Sequence, residues 1–142
     1  MKKRRRGILN SQKRFLEELR NVHVDCWVYA ARKENDHDIH LIIGNSPRRA
    51  RRVLMTAEVS GLPRVGKDIV PLRRARRQLV RTIGRVPTDY RCLVPPLHVS
   101  VQGSLLFDAH HRPEGTEKCG LQLDTVWEIH PVTRISSRDL RS

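Results

Sequence analysis

From Val22 onward the apolar residues of this chain recur at every second position, and only over residues 71–83 does the repeat lengthen to that of a helix. That change of period restricts the fold to strands wrapped into a sheet with one helix between them. Val24, Cys26, Val28 and Ala30 alternate with Asp25, Trp27, Tyr29 and Ala31, and the run ends in the turn-like Glu34-Asn35-Asp36. Residues 37–44 place Ile39, Leu41 and Ile43 on one face and Asp38 and His40 on the other, so the first two runs predict a hairpin. A loop over residues 45–52 precedes a third strand, 53–59, with Val53, Met55, Ala57 and Val59 opposite Leu54, Thr56 and Glu58. Gly61, Pro63 and Gly66 then break the pattern.

Pro71 suits a first helical position, Leu72, Ala75, Leu79 and Ile83 form an apolar stripe, and Gly84 is placed to end the helix. A fourth strand is read over 97–107, with Leu97, Val99, Val101, Leu105 and Phe107 against His98, Ser100, Gln102 and Ser104. Residues 108–124 read as a loop. The last strand, 125–135, sets Trp127, Ile129 and Pro131 on one side and Glu128 and His130 on the other. Upstream, Phe15, Leu16 and Leu19 share one side of a short helix behind a basic arm. The expected fold is therefore mainly β (α+β): a five-stranded OB-like barrel with a helix between strands 3 and 4 and a short N-terminal helix. Residues 1–21 form the arm and short helix, 22–135 the barrel domain, and 136–142 a flexible tail.

Ser104-Leu105-Leu106-Phe107-Asp108-Ala109-His110-His111, followed by Trp127-Glu128-Ile129-His130-Pro131-Val132, resembles a group of uncharacterised bacterial proteins with an OB-like barrel. Asp38-Ile39-His40-Leu41 and Ala57-Glu58-Val59 match two earlier steps of the same pattern. The resemblance covers roughly residues 22–135 and implies a fold, with no activity to carry over. The arginine-rich loop and helix depart from it in their charge.

Composition then points to a partner. Against 15 acidic residues stand 28 Lys and Arg, giving a formal charge of +13, a self-repelling excess that an anion relieves. Half of these cations fall in three segments: Lys2 to Arg6, the loop Arg48, Arg49, Arg51 and Arg52, and the helix Arg73, Arg74, Arg76, Arg77 and Arg81. Such density suits phosphate contacts with RNA or DNA. The same surface would also serve an acidic protein or a ribonucleoprotein. Trp27 and Tyr29 are the candidates for base stacking, whereas Phe107 and Trp127 are expected in the core.

The polar side of the proposed sheet collects a second set of residues. Glu58, Asp108 and Glu128 are the candidate catalytic carboxylates, and His40, Asp108, His111 and His130 the candidate ligands of a divalent metal ion. Such a group could activate water against a phosphodiester, or instead serve as hydrogen-bonded Glu–His and Asp–His pairs that fix barrel closure. No HExxH or zinc-finger spacing is present. Cys26, Cys92 and Cys119 are odd in number and widely spaced, which indicates no complete disulfide framework and fits a reducing, cytoplasmic setting. No apolar run reaches membrane-spanning length, so no membrane partner is expected.

Overall fold

The computed structural model describes residues 20–61, 69–107 and 115–138. The basic arm and the short helix read over residues 11–20 lie, but for Arg20, outside the described residues. Five long strands carry the fold: β1 (Asn21–Lys33), β2 (Ile39–Gly44), β3 (Leu54–Val59), β4 (Arg91–Phe107) and β7 (Trp127–Ser137). Helix α1 (Ile69–Ile83) lies between β3 and β4, and a small hairpin, β5 (Gly115–Thr116) and β6 (Leu121–Gln122), encloses the 3-10 turn Glu117–Cys119. The long strands close into a barrel in the order β1-β2-β3-β7-β4, with β4 returning to β1. All pairings are antiparallel except β3 with β7.

Alternation explains the core. Val28, Ile39, Leu41, Ala57, Val59, Val99, Val101 and Ile129 point inward, and Ala75, Leu79 and Ile83 of α1 join them. Each large aliphatic side chain buried there contributes roughly 1.5–3 kcal/mol. Pro71 falls in the first turn of α1, two residues after its start and not at its first position. Gly84 ends the helix as expected: its φ of 76° is readily adopted only without a β-carbon, and its N–H reaches Val80 O at 2.8 Å. The guanidinium of Arg91 donates to the free carbonyl of Ile83.

Two departures from simple alternation have one cause, the β-bulge. β4 begins six residues earlier than its pattern suggests, because Val28 pairs with Leu97 while Ala30 pairs with Cys92. The intervening Val94, Pro95 and Pro96 therefore loop away from the ladder, and Val94 is 90% exposed. In β7 the buried residues are Ile129, Val132 and Ile135, since the register shifts on either side of Gly103. Pro131 is thus not on the inward side that strict alternation assigns to it. β7 also runs to Ser137, and Arg138 N bonds His98 O at 2.8 Å, so residues 136 and 137 of the expected 136–142 tail belong to the sheet, while 139–142 lie outside the described residues.

A second, smaller core lies outside the barrel. Tyr29, Ala30, Ile42 and Leu54 are covered by Leu121. Cys92 and Cys119, 27 residues apart, form a disulfide that fastens this strap to β4. Two of the three cysteines are therefore paired, which corrects the reading from their spacing; linear spacing carries no information about which strands become neighbours. Closing a loop of this length stabilises the fold by about 3.5 kcal/mol on a chain-entropy account. Cys26 is the free thiol; burial, with Asp25 beside it, pushes it up to about 12. We expect no alkylation of the native protein, one alkyl group after denaturation alone, and three after denaturation with reductant, read by intact mass. Three groups without reductant would show the bridge to be open. No described helix is long and apolar enough to cross a membrane.

Candidate functional site

Strand register, not sequence proximity, assembles a polar cluster on the outer face of β2, β3 and β7. His40 pairs with Glu58 across β2 and β3, and Thr56 pairs with Glu128 across β3 and β7. Because Ile39, Leu41, Ala57, Val59 and Ile129 face the core, their polar neighbours project outward together. Glu58 is the centre of the group and only 8% exposed. His130 Nδ1 lies 2.8 Å from Glu58 Oε2 and 3.4 Å from Glu128 Oε1. That nitrogen is shut off from solvent, and neither carboxylate lies along a hydrogen-bond direction from it, so these are ion-pair contacts by distance only. On the other side, His40 Nδ1 lies 2.7 Å from Glu34 Oε1, and its Nε2 is 3.3 Å from Thr56 Oγ1.

Donor atoms of Glu34, His40 and Glu58 lie within 4.8 Å of one another, and so do those of Glu58, Glu128 and His130. Four of the residues singled out from sequence, His40, Glu58, Glu128 and His130, thus come together. Asp108 and His111 lie outside the described residues. Glu34 was missed because it sits in the turn after β1; its signal was the hairpin itself, which folds position 34 back beside position 40. Asp38, on the same strand face as His40, also lies against Glu58, and its carboxylate accepts the Gly61 N–H.

The electrostatics follow from crowding carboxylates at a half-buried face. Glu128 and then Glu58 hold the proton on His130 against the opposing effect of burial, lifting it to about 10 from 6.5. Burial pushes Glu58 up, but His130 outweighs it and the net shift is downward. Asp38 is raised, by burial first and by the Glu58 carboxylate in addition, despite the Gly61 N–H that favours its charged form.

A pH dependence follows. The raised His130 stabilises the fold fully below pH 6.5, and this contribution is lost as pH rises through about 10. The lowered Glu58 stabilises above its ordinary 4.5 and loses its contribution below that. With chelator present, the thermal-stability advantage of wild type over His130→Gln should be largest between pH 4.5 and 6.5 and decline toward pH 10. An advantage that does not change with pH would show that the pair is not ionised.

The arginines are separated, not pooled. Arg48, Arg49 and Arg51 are exposed on the β2–β3 loop, at one end of the barrel, whereas α1 follows β3 at the other. Six residues of β3 place the two ends roughly 20 Å apart. Two of the nine arginines have structural contacts: Arg52 stacks over the Tyr29 ring at 4.8 Å, and Arg76 Nη1 donates to His37 O at 2.7 Å and Ser60 O at 3.3 Å. Arg73, Arg74, Arg77 and Arg81 are exposed on one arc of α1, a helix that contains no acidic residue. Arg76 also fixes α1 at the barrel end that carries His40 and Glu58.

Neither candidate for base stacking stands free. Tyr29 is 7% exposed beneath the strap, and Trp27 stacks flat on His98 with ring centroids 4.3 Å apart. Phe107 and Trp127 pack on each other at 4.9 Å and are half-buried, beside the core and not within it. A search of protein-family models, curated proteins and solved structures returns no match to this chain.

Proposed function

We propose that this chain is a basic OB-like module that binds RNA or DNA chiefly through phosphate contacts, with weak sequence selectivity. The supporting observation is the arc of Arg73, Arg74, Arg77 and Arg81 on a helix without an acid to neutralise it. The OB-like label rests on the closed strand order, with the helix inserted between the third and fourth long strands. It also agrees with the resemblance in the Phe-Asp and Glu-Ile-His-Pro-Val steps. The covering of Tyr29 and the stacking of Trp27 on His98 argue for backbone recognition over base stacking. The test is fluorescence anisotropy of the full chain with single-stranded RNA, single-stranded DNA and duplex DNA at two salt concentrations. Binding that weakens steeply with salt supports the reading. Absence of salt-sensitive binding overturns it and moves the basic arc to an acidic protein or ribonucleoprotein partner.

One observation favours a second reading, a metal-dependent nuclease or phosphodiesterase. The Glu58 cluster and the arginine helix occupy the same end of the barrel, so a phosphodiester held by α1 would lie near carboxylates and imidazoles able to hold an ion. Cleavage of a labelled oligonucleotide, abolished by chelator, is its test. A cytoplasmic location would place the Cys92–Cys119 bridge against a reducing poise, and the alkylation count shows whether the bridge is closed.

A further inference from the structure

We propose that the Glu58 carboxylate bridges two divalent cations, one held with Glu34 and His40 and the other with Glu128 and His130. Glu58 belongs to both groups of converging donors, and each group adds one imidazole and one further carboxylate. The arrangement is thus doubled about Glu58 across three strands. At ligand distances of about 2.1 Å, two donors at a tetrahedral angle on one ion are about 3.4 Å apart, and the pairs His40–Glu34, His130–Glu58 and His130–Glu128 stand at 2.7, 2.8 and 3.4 Å. A carboxylate has two oxygens, and in two-metal sites the ions sit roughly 3.5–4 Å apart, a span that one bridging carboxylate can serve.

Two further observations point to cations. On a chain of net charge +13, three glutamates converge on this face, and Glu58 is nearly buried. Among the described residues the basic side chains against them are His130, between Glu58 and Glu128, and Arg32, 3.6 Å from Glu34 at the edge of the group. Carboxylates taken out of water need a counter-charge. In addition, His130 Nδ1 is buried between Glu58 and Glu128 without an aligned hydrogen bond. A divalent ion there would take the place of the proton on that nitrogen. Mixed imidazole and carboxylate donors without thiolate suit Zn²⁺ or Mn²⁺. Three protein ligands per ion leave positions for water or a phosphate oxygen.

This inference does not depend on nucleic-acid binding, and its test uses the metals alone. The full chain, stripped with chelator, is dialysed against Zn²⁺ or Mn²⁺ and its content measured by plasma mass spectrometry. The expected result is two ions per chain, with an exchange-coupled Mn²⁺ spectrum by electron paramagnetic resonance. His40→Ala and His130→Ala should each keep one ion, and Glu58→Gln should keep neither at the concentration that saturates wild type. Unfolding curves in chelator establish that the variants fold; where one does not, the wild-type stoichiometry and spectrum decide alone. No bound ion, one ion per chain, two ions without magnetic coupling, or two ions retained by a folded Glu58→Gln would overturn the proposal.

Discussion

Replacing Arg73, Arg74, Arg77 and Arg81 together with alanine should reduce the salt dependence of duplex DNA binding by about 3.6 in the slope of log K against log salt, if each holds one phosphate. Between 50 and 200 mM salt that slope corresponds to a roughly 100-fold change in affinity that wild type shows and the variant lacks. Alanine is a good helix former, and the four positions are exposed, so α1 should persist. The paired control is Arg48, Arg49 and Arg51 to alanine, at the opposite end of the barrel. A loop variant that loses more than the helix variant would relocate the binding surface to the β2–β3 loop. An unchanged slope in both would leave the N-terminal Lys2 to Arg6 as the contact.

Gly103→Ala should be the most damaging single-atom addition in the barrel. A β-carbon there would lie 2.5 Å from Ile129 Cγ2 and 2.5 Å from Pro131 O. The carbonyl belongs to the β7 backbone, which cannot withdraw without parting β4 from β7 at the bulge. Overpacking of this kind costs about 3 kcal/mol, a large fraction of the 5–15 kcal/mol typical of a domain. For a chain of this size the melting temperature should fall by about 10–15 °C. Calorimetry of the purified variant measures it. A loss below about 0.5 kcal/mol would mean that the two strands are farther apart than described.

Glu58 and Gly103 illustrate how much of this molecule was legible beforehand. The outward placement of Glu58 follows from Ala57 and Val59 being apolar, and the same parity sets His40 and Glu128 outward. Their convergence required only that β2, β3 and β7 be neighbours, which the barrel expectation supplied. Glu34 was not legible, because a turn residue has no parity and its direction depends on how the hairpin folds back. Nor was Gly103 visible as a contact point, since it looks like any glycine in an alternating run. The bulge around it shifts the inward residues to Ile129, Val132 and Ile135, a spacing that a fixed period of two cannot represent.

The sequence by itself determined the five long strands and the helix in outline, and the polar side of the strands away from the bulges, because those properties depend on neighbours within a few residues; the short hairpin within 115–122 read as loop. It also determined the chain's charge, although not where that charge gathers. Tertiary structure alone decided that Cys92 meets Cys119, that Tyr29 is covered, and that the two basic clusters lie at opposite ends. It also brought Glu34 beside His40 at the edge of the Glu58 cluster. Apart from that turn contact, each of these is a contact between residues far apart in the chain, fixed by barrel closure and by bulges that reset the register. Local periodicity has no term for either.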